Sequence, residues 1–183
     1  MKTILLSALT LLLVATNANG QSEGAYVTGA VSLSKYRGDD VTNSSNRIGY
    51  TAGFELNEHF AENWRFIVGA RFTQIGDKDL RVNNVVFPVM VGKQLGERFQ
   101  LAVGTRVHVF AQVRDADKER IEDGPSLFTS PSFDVSGRLS WIHSERSFSY
   151  VEYNRGITNA FEAGGHAKMT SFNFGYALRF IKE

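Results

Sequence analysis

The chain has 183 residues, no cysteine, and 20 Lys and Arg residues against 19 Asp and Glu residues. A net charge this close to zero gives no argument for nucleic-acid binding or for a polybasic membrane patch. The absence of cysteine excludes a disulfide-stapled domain, so the fold depends on a core or on a closed hydrogen-bonded ladder.

The first twenty residues have the three parts of an export signal. Met1-Lys2 is a short basic start, an apolar run follows from Ile4 to Val14, and Ala18-Asn19-Gly20 offers small residues for cleavage before Gln21. The apolar run has eleven residues, whereas a membrane-spanning helix needs roughly 20. We therefore predict a signal peptide over residues 1–20 and one exported domain over residues 21–183.

Eight segments follow in which apolar and polar residues alternate. They cover residues 26–36, 47–56, 64–74, 83–95, 99–113, 132–143, 147–155 and 167–180. Since side chains in a strand alternate faces, each segment is predicted to be a strand with one apolar face. In the last segment the apolar face carries Phe172, Phe174, Tyr176, Leu178 and Phe180. Its pattern continues for about a dozen residues, and a bilayer-crossing strand needs roughly 9–11.

The predicted connections alternate in length. Those at residues 37–46, 75–82, 114–131 and 156–166 are each longer than the neighbouring connections at 57–63, 96–98 and 144–146. Outer-membrane barrels have short periplasmic turns at one rim and longer loops at the other. Together with the polarity pattern, this predicts an all-β protein of the cell outer membrane, an eight-stranded antiparallel up-and-down transmembrane β-barrel.

The same alternation turns nine charged residues toward the interior. They are Arg47, Glu55, Arg65, Arg71, Arg106, Asp134, Arg138, Glu152 and Arg179. Charges on a lipid-facing surface cost roughly 2–4 kcal/mol near the midplane, and eight strands enclose a space that side chains fill. We therefore predict a structural network of ion pairs in the lumen. An anion-selective site built from the surplus of arginines is the alternative.

Motifs for chemistry are missing from the sequence. It has no G-x-S-x-G elbow and no H-E-x-x-H pair, and its four histidines, at positions 59, 108, 143 and 166, lie far apart. We predict no enzymatic activity, no cofactor and no metal, and we interpret His143 with Ser144 as a solvated turn. The acidic stretch 115–123 is interpreted as a solvated loop, with binding of divalent ions or lipopolysaccharide phosphates as the alternative.

Two stretches resemble a known family. Residues 147–159 read S-F-S-Y-V-E-Y-N-R-G-I-T-N, and residues 84–92 read N-V-V-F-P-V-M-V-G. The first is similar to the penultimate strand and its exit in PorT-like outer-membrane β-barrels, which are common in Bacteroidetes, with matches at Tyr153, Asn154, Arg155, Gly156, Ile157 and Asn159. The second resembles the family segment in which a hydrophobic residue and Pro precede an apolar strand. The resemblance implies an outer-membrane barrel and does not carry over a secretion role.

The function that follows is that of a small barrel with a filled lumen, which acts as a structural or interaction protein through its extracellular loops or passes solutes slowly. A soluble periplasmic barrel that holds a small ligand is one alternative, and a lipid-modifying barrel enzyme is another. The expected partners are outer-membrane lipid, lipopolysaccharide and, during insertion, the barrel-assembly machinery. We expect a monomer and no nucleic acid.

Overall fold

The computed structural model describes residues 22–38, 44–77, 80–114, 121, 128–160 and 167–180. The predicted signal peptide, His166 and, except for Ile121, the acidic stretch 115–123 lie outside these residues. Among the described residues, no helix has both the length and the apolar character to cross a membrane.

Eight antiparallel strands form one closed barrel in sequence order. They are β1 (Ser22–Arg37), β2 (Arg47–Ala61), β3 (Trp64–Gly76), β4 (Arg81–Leu95), β5 (Phe99–Arg114), β6 (Ser132–Ser144), β7 (Ser147–Gly156) and β8 (Lys168–Arg179). The ring closes between β1 and β8, whose register runs from Tyr26 opposite Arg179 to Arg37 opposite Lys168. Closure leaves no free edge, so every strand has a partner on each side.

The two rims of the barrel differ. The connections 38–46, 77–80, 115–131 and 157–167 share one end, which we call the loop rim. The connections 62–63, 96–98 and 145–146 share the other end, the turn rim, where β1 begins and β8 ends. The predicted alternation of longer and shorter connections is present, and the predicted fold class is confirmed.

Three strands, β2, β3 and β4, extend by two or more residues into segments predicted as connections. β2 continues through Asn57 to Ala61 rather than ending at residue 56, so the turn that follows is Glu62-Asn63. β3 and β4 continue to Gly76 and from Arg81, where residues 75–82 were predicted to form a loop. The sequence interpretation was wrong there because Ile75 and Val82 are fully buried within the barrel, and their packing outweighs the turn-forming residues between them.

A bulge in β5 shifts the faces near the loop rim. Asn83 pairs with Gln112 and Asn84 pairs with Phe110, which leaves Ala111 unmatched. Uninterrupted period-two alternation of the segment 99–113 predicts that Gln112 faces the lumen with Arg106 and His108. That prediction is wrong because the extra residue reverses the alternation beyond it. Gln112 instead joins an outward row in which Asn83 donates to Gln112 at 3.1 Å and Gln74 donates to Asn83 at 3.1 Å.

The outward face is a continuous apolar band. On β5 it runs from Phe99 to Val109, and Val103 near its middle is 60% exposed. Eleven strand residues tilted by roughly 40° give a band about 25 Å tall, the height that outer-membrane barrels present to lipid. Near the turn rim the band carries stacked rings, with 6.2 Å between the centroids of Phe99 and Trp141.

Candidate functional site: the charged lumen

Six charged side chains meet in the middle of the barrel, and each of these residues is at most 2% exposed. They are Glu55 of β2, Arg71 of β3, Arg106 of β5, Asp134 and Arg138 of β6, and Glu152 of β7. Three are cations and three are anions, so the cluster is neutral in total. Buried charges are tolerated when they are paired and hydrogen-bonded in this way.

Glu152 is the centre of the network. Its Oε2 accepts from Arg138 Nε at 2.9 Å, Arg138 Nη2 at 2.7 Å and Arg71 Nη1 at 3.1 Å. Its Oε1 accepts from Arg106 Nη1 and from Asn173 Nδ2, both at 3.1 Å. One carboxylate therefore joins three arginines from three strands, and Asn173 of β8 adds a fourth strand.

Two of the ion pairs cross the lumen. Arg71 and Glu152 come from β3 and β7, which are half the circumference apart in a ring of eight. Arg138 of β6 donates through Nη1 to Oε2 of Glu55 on β2 at 3.0 Å. The strands β6 and β2 are also half the circumference apart. Glu55 also pairs with Arg71 on the neighbouring strand. The opposite walls are therefore bonded to each other through side chains as well as around the ring.

A branch of the network extends toward the loop rim. Asp134 Oδ2 accepts from Arg106 Nη2 at 2.7 Å and lies 2.7 Å from His108 Nε2. On the other side of the imidazole, Asn84 Nδ2 lies 2.9 Å from His108 Nδ1. Since Asn84 donates to Nδ1, the hydrogen on Nε2 is directed at Asp134. The ring is fixed by polar groups on both sides.

Toward the turn rim, the aromatic ring of Tyr150 covers the network. The guanidinium carbons of Arg138 and Arg71 lie 4.8 Å and 5.6 Å from its centroid. The cations thus have an aromatic face on one side and carboxylates on the other, an arrangement that stabilises a desolvated guanidinium.

An apolar cluster, which we call the plug, fills the lumen on the loop-rim side. It consists of Tyr36, Ile75, Val82, Val113, Phe128, Ala160 and Met169, with Leu80, Phe110 and Ile121 packed against it. The rings of Phe110 and Phe128 have centroids 4.9 Å apart. Where the plug meets Asp134, the remaining cavity is about 10 Å³, close to the space that one water occupies.

The turn-rim side is open. A vestibule of about 490 Å³ is lined by Tyr26, Arg65, Gln94, Glu97, Arg98, Ile142, His143, Ser144, Glu145 and Arg179. The described lumen is therefore asymmetric, with an open vestibule at one end, the ion network in the middle and the plug at the other end.

Three of the nine predicted lumen charges lie outside the network. Arg65 donates to Gln94 Oε1 at 2.8 Å and, with Arg179, lines the vestibule. Arg47 donates to the carbonyl oxygen of Asp77 at 2.8 Å near the loop rim. Their strands direct them inward, but they lie near the strand ends, too far along the barrel axis to reach the central carboxylates.

Four side chains that contact the six charges were not predicted as part of the network: Asn57, His108, Tyr150 and Asn173. Asn84 joins the network through His108. The alternation in the sequence contained the signal, since each lies on the lumen-facing parity of its strand. The prediction was restricted to acidic residues and arginines.

The described histidines, at positions 59, 108 and 143, do not form a common metal site. His108 lies in the lumen. His143 lies among the outward rings near the turn rim, with its ring centroid 5.5 Å from that of Trp141 and 5.9 Å from that of Tyr176. His143 and Ser144 are exposed, as interpreted, but they form the end of β6 beside the turn 145–146 and do not belong to the turn itself. His143 Nε2 and Ser149 Oγ are 3.0 Å apart, but no carboxylate is recorded on His143 in the described part of the chain. Within that part, no group of three or more His, Asp or Glu side chains has the geometry to hold a metal ion.

Comparisons with known proteins agree with this architecture. Residues 4–180 match the outer membrane protein beta-barrel domain family. No curated protein sequence matches the chain. Among solved structures, Neisserial surface protein A has a TM-score of 0.59 and 11% identity, covering 86% of this chain and 97% of that one.

A second similar structure is Ail, the attachment invasion locus protein of Yersinia pestis, solved with the heparin analogue sucrose octasulfate. It has a TM-score of 0.51 and 12% identity, covering 86% of this chain and 99% of that one. At such identities the likeness shows the fold alone.

Proposed function

The chain belongs to the outer membrane protein β-barrel domain family, and we propose that it is a non-conducting barrel of the cell outer membrane with a structural or interaction role through its extracellular loops. By the usual arrangement in such barrels, the turn rim faces the periplasm and the loop rim faces outside. The role we propose is structural or interactive and involves no catalysis.

The plug is the single observation that carries the proposal. Phe128 is 2% exposed, and Ile75 and Val82 are fully buried, on the path that a solute has to take from the vestibule to the loop rim. A hydrated solute would have to displace both this apolar cluster and the six-charge network below it. Displacement that leaves buried charges unpaired is strongly unfavourable.

The alternatives receive less support. Slow permeation needs a continuous polar path, and the plug interrupts it. A soluble ligand-binding barrel needs a cavity in the lumen and a polar exterior, whereas this exterior is an apolar band and the protein lies in the outer membrane. A lipid-modifying enzyme needs an acid, a base and a nucleophile together. Among the described residues, His143 and Ser149 contact each other, but no carboxylate is hydrogen-bonded to either of them.

The experiment is conductance in planar bilayers with the purified, refolded full-length mature protein. We expect no steady channel from the wild type. The double variant Phe128→Ser/Arg138→Ala, which removes one plug ring and one network cation, serves as the opened control and is expected to give channels. The variant Trp141→Ala, on the outward face, is expected to remain silent. Steady wild-type conductance would refute the proposal.

We infer further that the chain is a PorT-like member of this family. The motif that carries the resemblance forms the exit of β7: Ile157 N donates to Phe133 O at 2.8 Å, and Thr158 Oγ1 accepts from Phe133 N at 3.0 Å. A motif that anchors the end of a strand has a structural reason to recur within one family. An alignment of relatives in which these positions vary freely would contradict this assignment.

A further inference from the structure

Four cations form a patch on the outward face near the loop rim, and we call it the cationic patch. It consists of Lys35 and Arg37 of β1, Arg155 of β7 and Lys168 of β8. Their sequence neighbours Ser34, Tyr36, Asn154 and Met169 are buried, so the four side chains have the opposite, outward parity. The patch covers three adjacent strands.

The sheet register brings these four residues together. Arg37 lies directly opposite Lys168, and Lys35 lies opposite Thr170. Thr170 in turn lies opposite Arg155. Lys35 and Arg155 are therefore two strands apart, roughly 10 Å between their Cα atoms, and Lys35 and Arg37 are roughly 7 Å apart. Side chains as long as those of Lys and Arg converge over such distances on one or two shared anions.

The fold alone does not account for this arrangement. Like charges directly opposite each other on neighbouring strands are destabilising. Arg37 faces Lys168 in this way, as Arg81 faces Arg114, but the Arg37–Lys168 pair is distinguished by two further outward cations beside it, Lys35 and Arg155. In the part of the chain that the structure describes, no carboxylate is recorded within ion-pair distance of any of the four. An anion supplied from outside the barrel would convert this repulsion into binding free energy.

The same three strands carry an apolar surface next to the patch. The rings of Tyr153 and Phe172, one step farther from the loop rim, have centroids 4.8 Å apart. Beyond them lies an outward groove of about 680 Å³, lined mainly by apolar side chains. It begins at Val31, Val151 and Phe174 on these strands and continues across β6 and β5 to Trp141 and Phe99. A ligand that bridges patch and groove has an anionic head and a long apolar tail.

We propose that the cationic patch and the adjoining groove bind one lipopolysaccharide molecule of the outer leaflet. Its phosphates lie on Lys35, Arg37, Arg155 and Lys168, and an acyl chain passes the Tyr153–Phe172 pair into the groove. Arginine suits phosphate because its planar fork donates two parallel hydrogen bonds. This inference does not rest on the closed lumen, because every group involved lies on the outward face.

The test is lipopolysaccharide retention by the full-length mature protein in detergent micelles, measured by native mass spectrometry. The variant K35Q/R155Q removes two patch charges, and R81Q/R114Q removes two outward charges that face each other at the same rim on β4 and β5. We expect K35Q/R155Q to lower lipopolysaccharide affinity at least tenfold and R81Q/R114Q to change it less than twofold. Lipopolysaccharide stripped of its phosphates is expected to bind the wild type as weakly as intact lipopolysaccharide binds K35Q/R155Q.

A second readout guards against a variant that folds poorly. In phosphatidylcholine vesicles without lipopolysaccharide, K35Q/R155Q is expected to unfold at the same or a higher urea concentration than the wild type, since the repulsion is reduced. Added lipopolysaccharide should raise the wild-type midpoint and leave that of K35Q/R155Q unchanged.

Three results would overturn the proposal. If the wild type and K35Q/R155Q retain lipopolysaccharide equally, the cationic patch does not take part in binding it. Equal binding of phosphatidylglycerol would reduce the site to general anion attraction. A wild-type barrel that salt destabilises strongly in lipid-free micelles, with no response to lipopolysaccharide, would mean that acidic residues of the chain's own connections occupy the patch.

Discussion

Gly175 of β8 lies directly opposite Tyr150 of β7, and a β-carbon on Gly175 would lie 2.3 Å from Cζ of the tyrosine ring. The ring occupies the space that a side chain at residue 175 would take. Gly53 lies opposite Arg71 and Gly69 opposite Glu55, but a β-carbon at either position would meet the backbone of the neighbouring strand first. At residue 175, therefore, the narrow lumen accommodates a large side chain by placing glycine across from it.

Gly175→Ala should therefore destabilise the barrel by roughly 1–3 kcal/mol, the usual cost of overpacking. The added methyl group has to push the Tyr150 ring away from Arg138 and Arg71. Urea unfolding in lipid vesicles, followed by tryptophan fluorescence, measures the loss. Gly137→Ala is the matched control, because a β-carbon on Gly137 meets nothing within 4 Å. Equal losses from the two substitutions would contradict the packing argument.

Removing one partner of a lumen-crossing pair should cost more. We expect Arg71→Met or Glu152→Gln alone to destabilise the fold by about 3–5 kcal/mol, because each leaves buried charges without compensation. The double variant should cost less than the sum, by roughly 0.5–3 kcal/mol of coupling. The exposed turn variant Arg98→Met should change stability by less than about 0.5 kcal/mol. Strict additivity of Arg71→Met and Glu152→Gln would mean that the pair contributes no coupling.

The loss in free energy of unfolding caused by an outward charge should depend on how deep in the apolar band the charge lies. Val103 lies near the middle of the band on β5, while Leu95 lies at the end of β4 beside the turn 96–98. We expect Val103→Arg to cost roughly 2–4 kcal/mol and Leu95→Arg roughly 0–1 kcal/mol. The measurement is the urea midpoint in vesicles, with gel mobility before and after boiling as a test of folding. A cost independent of depth would argue that this face does not lie in lipid.

Export should remove the first twenty residues. The small residues before Gln21 are expected to direct cleavage after Gly20, and the intact mass of the protein from outer-membrane fractions would then begin at Gln21. Gly20→Pro is expected to retain the uncleaved form. A native N-terminus at another residue would move the predicted boundary.

The fold could be predicted from the sequence because lipid-facing and lumen-facing residues alternate along every strand of a membrane barrel. Period-two alternation indicated the lumen side of Glu55, Arg71 and Glu152, and the lengths of the connections indicated which strand ends share a rim. The strand limits were less accessible. Ile75 and Val82 lie among Gly, Asp and Lys residues that are typical of a loop, and only their burial in the plug keeps them in strands.

The partners within the lumen could not be predicted. Alternation specifies a face but not a height, and two residues on opposite walls meet only if the tilt and stagger of all eight strands bring them level. Arg65 and Arg71 therefore looked equivalent in sequence, although only Arg71 reaches Glu152. The bulge at Ala111 could not be predicted either, because an extra residue in one strand is recognised only from its pairing with the neighbouring strand.

The cationic patch could not be predicted from the net charge of the whole chain. The total charge of +1 concealed a local excess, because the four cations come from positions 35, 37, 155 and 168, which join only when β1 and β8 close the ring. A whole-chain charge gives no information about such a grouping.

The lumen-crossing pairs have a consequence for how the barrel forms. Glu55 with Arg138 and Arg71 with Glu152 join strands that are never neighbours in the sheet. A flat or half-rolled sheet makes its ladders without them, so their free energy appears only in the final curling step. They favour the complete ring over every open intermediate, and the barrel is therefore expected to assemble and to come apart as one cooperative unit.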